Sequence, residues 1–271
     1  MNQSKKRKIQ RLLKRQLRAS DSEVEAIVGN IERIISRELA SIERDILRGG
    51  FDSDSALQVV GALQGLEASL EQAGLTEQVR RLQSAFGNEL DSVLERLEVE
   101  TGFNPNRLIY SDLDLEGLET LASAHIEKSM QTLSRYIANA RLQISAQVIA
   151  GQPVDIKQFQ DRVDAKTYAN LKTDLRTSLA AFNRSAHAKQ TEALGFKRFE
   201  YLGADDNLTR EFCDHVLSGS PHGGFNIPAS KDGTYTSEQI AAMDNGQGLD
   251  VRTNGGGYNC RHTWIVVDSI E

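Results

Sequence analysis

The chain has 271 residues, 39% hydrophobic, 26% charged and 6% aromatic, with four prolines and a formal net charge of −6 at neutral pH. That length holds one large domain or two ordinary ones, and the composition suits a largely helical protein with leucine- and isoleucine-rich seams. No apolar run approaches the ~20 residues of a membrane span, the basic N-terminus lacks the apolar core of a signal peptide, and two cysteines give no disulfide framework, which points to folding in a reducing cytosol.

Charge is unevenly spread along the chain. Residues 1–18 carry Lys5, Lys6, Arg7, Lys8, Arg11, Lys14, Arg15 and Arg18 and no acid, so a +8 arm precedes a body of −14. Such an arm is a candidate contact for nucleic acid or an acidic protein surface. It is also amphipathic, with Ile9, Leu12, Leu13 and Leu17 at helical spacing, and the plain alternative is a helix end that packs on a neighbour.

From Ser22, an N-cap candidate with Glu25 completing a capping box, one apolar stripe runs through Val24, Ile27, Val28, Ile31, Ile34, Ile35, Leu39, Ile42 and Ile46 to Gly49-Gly50. A second helix is expected from about Asp54, with Leu57, Val60, Leu63, Leu66 and Leu70 on one face, ending at Gly74. A third starts near Thr76 and carries Val79, Leu82, Phe86, Leu90, Val93, Leu94 and Leu97 to Gly102. Short turns between them make these segments antiparallel neighbours. Residues 103–114, with Pro105, form a break. Helices follow over about Leu115–Ala150 and, after Gly151 and Pro153, over Asp155–Leu194, where Phe159, Val163, Tyr168, Leu171, Leu175, Leu179 and Phe182 share a face. His125 and His187 sit alone in these helices and receive no role.

Beyond Gly195 the pattern changes. Residues 196–206 alternate like a strand and then turn, residues 219–257 are too rich in glycine for long helices, and a short helix is expected at Thr236–Met243, capped by Thr236 or Ser237. Thr263–Ser269 reads as a short buried strand. The expected fold is therefore mainly α: a long N-terminal helical bundle or hairpin, then a small loop-rich α+β module. The divisions are an arm at 1–18, a hairpin or bundle at 19–102, a second helical region at 103–194 and the module at 195–271.

That module holds both cysteines, as Cys213-Asp-His215 and Cys260-Arg-His262. On extended backbone a Cys-x-His pair puts both side chains on one face, and two such pairs supply four ligands to one zinc ion. His222 and Asp214 are substitute ligands. On a helix, Cys213 and His215 point apart and the set weakens. A Cys213–Cys260 disulfide, a Cys–His nucleophile and plain packing remain alternatives.

The run Tyr201-Leu-Gly203-Ala-Asp205-Asp206-Asn-Leu-Thr209-Arg210-Glu-Phe212-Cys213, followed by a glycine-rich insert and Gly257-Tyr258-Asn259-Cys260-Arg261-His262, resembles the C-terminal signature of phage minor head proteins, the Mu F-like head morphogenesis family. The resemblance covers about residues 175–268 and departs from many relatives at His215 and His262, where cysteines are frequent. It implies a low-copy virion component at the portal vertex or capsid interior, present in the host cytoplasm during assembly and able to enter a host with the DNA. The implied partners are the portal protein, other capsid components, packaged DNA and further copies of the chain. Asp206, Thr209, Arg210, Asn259 and Arg261 then carry a structural motif: Asp206 pairs with Arg210 or fixes the turn, and Arg261 pairs with Asp205, Asp206 or Asp214. Trp264 and Ile265–Val267 supply a small core.

No catalytic residues are expected, since residues 19–194 hold two histidines and no cysteine. The rival readings are a phage-encoded enzyme or toxin carrying such a module, and a DNA-binding protein acting through its basic arm.

Overall fold

The structure, a computed structural model, describes residues 3–49, 61–102, 112–150, 156–203, 206 and 208–267. Among the described residues, the long N-terminal part contains α1 (Gln3–Gly49), α2 (Leu66–Leu70), α3 (Thr76–Thr101), α4 (Asp112–Ile149) and α5 (Ile156–Ala193). Then follow β1 (Arg198–Leu202), α6 (Glu211–Ser218), β2 (Thr234–Thr236), α7 (Ser237–Ala242), α8 (Val251–Asn254) and β3 (Thr263–Val266). The protein is mainly α with a small α+β module near its C-terminus.

α1 corrects the first expectation. It runs without interruption from Gln3, so Ser22 lies inside a helix and is no N-cap. Nothing in residues 3–22 breaks a helix, and the buried positions Ile9 and Leu13 lead into Val24 and Ile27 at steps that keep one stripe. Between α2 and α3 a π-turn at Glu71–Leu75 ends on Gly74, whose φ of 111° only glycine adopts without strain. The expected start of the second helix, with Leu57 and Val60, lies outside the described residues, as do Pro105 and residues 151–153. The side chains of Ile46, Phe159 and Val163 also lie outside them.

The chain divides into two compact units. One consists of Glu23–Ser84 and Ala124–Leu175 and is entirely helical where described. In it α1 and α3 run antiparallel, since Glu23 pairs with Arg81 while Asn30 meets Gln78. Ile27, Ile31, Leu75, Leu82, Leu133, Leu171 and Leu175 surround a gap of about 10 Å³, room for no more than one water. Each such side chain contributes about 1.5–3 kcal/mol by burial.

The other unit comprises Met1–Ser22, Ala85–Ser123 and Arg176–Glu271. Its antiparallel sheet has the order β2-β1-β3, with Phe199 opposite both Tyr235 and Val266 and Tyr201 opposite Trp264. Strand alternation separates two cores. Phe199, Tyr201, Tyr235, Trp264 and Val266 join Phe212, Cys213 and Val216 on one face. Leu202 and Ile265 meet Ile9 and Leu13 of α1 on the other, which is why all four β3 residues are buried. β2 escaped the sequence reading because three residues are too few to show a period. α7 is capped by Thr236, one of the two expected candidates, and Gln239 completes a capping box that the sequence reading does not name.

A buried polar chain ties α3 and α5 to the sheet. Arg96 and Glu100, 1% and 0% exposed, pair at 3.0 Å. Arg96 also donates to Asn183 Oδ1 at 3.1 Å, and Asn183 donates to Glu89 at 2.9 Å. His187 Nε2 and the backbone N–H of Val266 both reach Glu100 Oε2, at 2.8 and 2.9 Å. His187, which the sequence leaves without a role, is thus part of the scaffold.

Candidate metal centre

Residues 211–218 are helical, and the glycine that follows caps them in left-handed conformation, φ 68°. Successive helix positions diverge by about 100°, so Cys213 turns inward beside Phe212 and Val216 while His215 stays half-exposed. The four-ligand set is therefore corrected to three: Cys213, Cys260 and His262 each offer a donor atom within 4.8 Å of the others, and all are buried. His215 belongs instead with Glu211 and His222.

Cys260 reaches the centre from a turn after α8, with Asn259 at φ 57°, a left-handed position asparagine tolerates. Both cysteines are free, with their sulfurs 3.8 Å apart, far beyond a disulfide bond. Cys260 Sγ lies 3.7 Å from His262 Nδ1 and accepts from the Gly256 N–H at 3.2 Å. Tyr201 Oη stands 3.4 Å from Cys260 Sγ and 3.7 Å from Cys213 Sγ. These groups divide the thiols. The hydrogen bond from Cys213, with help from His262 and the Arg184 charge, holds Cys260 well below the usual thiol range, while the same bond and burial push Cys213 up. Burial, reinforced by the two sulfurs, raises Tyr201. Of the two, Cys260 is the thiol more readily deprotonated, and Cys213 stands within hydrogen-bond reach of it.

Two soft sulfurs and an imidazole are a donor set for a tetrahedral metal. With metal–sulfur bonds of about 2.3 Å and metal–nitrogen bonds of about 2.0–2.1 Å, a tetrahedron has S···S edges of about 3.8 Å and S···N edges of about 3.5 Å. The spacings of 3.8 and 3.7 Å already lie near those edges.

The other motif residues brace this centre. Arg261 clamps Asp206 with two bonds, Nη1 to Oδ2 at 2.9 Å and Nη2 to Oδ1 at 2.6 Å, and this pairing lowers the Asp206 carboxyl. Thr209 closes the Asp206 turn, its Oγ1 accepting the Asp206 N–H at 3.0 Å. Arg210 does not pair with Asp206. It is extended, φ −78° and ψ 152°, so the four-residue spacing is not helical, and its guanidinium donates to the carbonyls of Gly256, at 3.1 Å, and Tyr258. The Asn259 N–H donates to Thr177 Oγ1.

Three further residues shape the centre: Arg184, whose carbonyl-binding role the sequence does not show, Gly203, and Gly256, one of the glycines 255–257 expected to let the backbone approach closely. Arg184 donates to the carbonyls of Thr253, Cys260 and His262, at 2.7, 3.3 and 2.9 Å, and so fixes the Cys260–His262 segment. A Cβ on Gly203 would stand 2.3 Å from the His262 ring, and one on Gly256 would stand 2.3 Å from Cys213 Sγ. Gly256→Ala is accordingly expected to spread the two sulfurs and cost about 1–3 kcal/mol by overpacking. Denaturation followed by the fluorescence of Trp264, the sole tryptophan, measures it, and an unchanged midpoint would show that the loop does not press on the sulfur.

The basic arm forms the first turns of α1. Lys6 pairs with Glu200 and Arg15 with Glu95, while Lys5 and Lys8 line a cleft with Glu95 and Glu98. Arg7, Lys8, Arg11, Lys14 and Arg18 are exposed. Among the described residues no helix is long and apolar enough to cross a membrane. Comparison with protein-family models, curated proteins and solved structures found no match.

Proposed function

We propose that the chain is a non-enzymatic minor head protein of a bacteriophage, associated with the portal vertex and head interior, whose C-terminal part is a Mu F-like module stapled by zinc. The observation that carries this reading is the closure of the motif on itself. Its two halves are far apart in sequence, yet Asp206 clamps Arg261, Arg210 holds the 256–258 backbone, and Cys213 meets Cys260. A motif whose members bind one another explains why those residue types recur at that spacing.

Zinc suits the buried Cys213, Cys260 and His262 because thiolate and imidazole are its preferred ligands and no redox change is needed to hold it. A loop-rich module with a small core gains stability from such a staple. Three protein ligands leave a fourth position, and Tyr201 Oη faces both sulfurs there. A structural role is favoured over catalysis by the engagement of the acids: Asp206 is held by Arg261, and Glu100 by Arg96 and His187. The exposed cations of α1 offer a face to packaged DNA, whose phosphates attract such charges in a salt-dependent way.

Mass spectrometry of purified virions made from the genome that encodes the chain tests the reading. Peptides of the chain at low copy per particle are the expected result. Heads that assemble and package normally without it, combined with its absence from particles, would overturn the proposal.

A further inference from the structure

The outer side of α6 carries a second cluster, free of sulfur. Glu211 and His215 lie one helical turn apart, so their side chains share a face. Gly219 then reverses the chain, packed so closely that a Cβ there would stand 2.3 Å from the Ser230 carbonyl oxygen. The reversal brings His222 back onto that face. Its backbone is pinned by a pair of hydrogen bonds with Ile227, at 3.1 and 3.0 Å. Its ring stacks on Phe225 at 4.6 Å, and Phe225 in turn meets Phe212 of the core edge-on at 5.7 Å.

The two imidazoles thus stand 4.6 Å apart between centroids, and His222 Nε2 is 3.6 Å from Glu211 Oε1. Each of the three residues offers one ligand atom within 4.8 Å of the other two. The Nδ1 atoms of both histidines are shielded from solvent and have no hydrogen-bond partner among the described residues. A plain surface histidine turns its nitrogens to water or a carbonyl; these are held against one another by packing instead.

We propose that Glu211, His215 and His222 form a solvent-facing site for a divalent transition-metal ion, separate from the buried thiolate centre. Two imidazoles and one carboxylate favour zinc, cobalt, nickel or copper over magnesium or calcium, which prefer all-oxygen shells. Metal bonds of about 2.0–2.2 Å require ligand atoms roughly 3–3.5 Å apart. His222 Nε2 and Glu211 Oε1, 3.6 Å apart, are near that spacing, all three ligand atoms lie within 4.8 Å of one another, and the Glu211 side chain, 68% exposed, is free to swing in. Three protein ligands leave a coordination position open to solvent, the arrangement that accepts an exogenous ligand such as water, a carboxylate or a further imidazole.

The test is titration of the metal-free full chain with Co²⁺, counting bound ions by equilibrium dialysis and following optical absorption. Cobalt bound by Cys213 and Cys260 shows thiolate charge-transfer absorption; cobalt at Glu211, His215 and His222 does not. The wild type is expected to bind an ion without that absorption, and Glu211→Gln and His222→Gln are each expected to weaken it by more than about tenfold, the loss that follows removal of outer-sphere partners alone. Glu211→Gln alters an exposed side chain, so its effect is not one of folding. If the buried centre takes no metal, the sulfur-free ion is still expected and still lost in both variants. Cobalt whose every equivalent shows thiolate absorption, or variants that bind as tightly as the wild type, would overturn the proposal.

Discussion

Glu100→Ala is expected to lower the stability of the unit that contains the sheet by about 3–5 kcal/mol, the loss that follows removal of one partner from a buried ion pair. The deletion strands three groups together. Arg96 keeps its charge but loses the carboxylate paired with it at 3.0 Å, His187 loses its acceptor, and the Val266 N–H on the sheet edge loses the carboxylate oxygen it donates to. Trp264 lies two residues from Val266 and is buried, so its fluorescence reports on this unit and not on the all-helical one. The double variant Arg96→Met/Glu100→Leu is expected to recover most of the loss, because an apolar pair of similar volume needs no hydration. Equal midpoints for the single and double variants would show that the loss comes from His187 and the Val266 N–H, which lack the carboxylate in both, and not from the Arg96 charge.

The same network makes the unit sensitive to acid, and the sign follows from each group. Burial, against the pull of Glu100, lowers His187 from its ordinary value, so it is neutral in the folded protein and donates Nε2–H to Glu100. The unfolded chain takes up that proton near pH 6.5, hence stability falls as pH drops below that value. Burial alone would raise Glu100, but His187, Arg96 and the Val266 N–H outweigh it and hold it below its ordinary range. Its contribution is lost at still lower pH, on passing the folded value. Glu89 is raised by burial and works in the opposite direction. His187→Gln, which keeps a donor and removes the titration, is expected to flatten the loss between pH 7 and 5.

What the sequence reveals, and what it hides, follows from the range of the interactions. The apolar stripes of α1, α3 and α5 are local patterns with a period of 3.6, and most residues at their described positions are buried, while Leu12, Leu17, Ile34, Val79, Leu90 and Leu94 are only partly so. Ser22 misled because a capping box is a local signal too. It has the right residues, but a helix already in progress has no free N–H groups for it to satisfy. The site is harder to read, since Cys213 and Cys260 are brought together by the glycine-rich insert and not by any period. Their pairing was legible only as chemistry, two soft donors with two imidazoles. Which histidine belongs to which cluster depended on whether residues 211–218 are helical, and eight residues are too few to decide that from pattern. Arg184 hid best, an interior cation whose partners are backbone carbonyls and so leave no complementary residue type in the sequence.

Cys260→Ser is expected to have the largest effect in the C-terminal module and to differ in kind from Cys213→Ser. Cys260 is the thiol held well below its usual range, accepting from the Gly256 N–H, with the Tyr201 hydroxyl and Cys213 Sγ within hydrogen-bond reach and under the charge of Arg184. Serine at that position brings a hydroxyl that stays protonated, so the buried Arg184 would lose a neighbouring negative charge and a zinc ion held as proposed would lose a ligand. Both variants are expected to lose zinc, measured as metal content per chain, because two ligands do not hold a structural ion. In the metal-free state they diverge: Cys213→Ser retains the readily deprotonated Cys260 with a hydroxyl in place of the neighbouring thiol, and its stability should stay close to that of the chelated wild type. Cys260→Ser should fall below it by a further ~1–3 kcal/mol, the cost of a buried group left without its charged partner. Wild-type protein without zinc, together with equal midpoints for the two variants, would leave both cysteines as packing residues. Zinc lost from both and stability lost mainly from Cys260→Ser would establish the centre as a metal staple built around one thiolate.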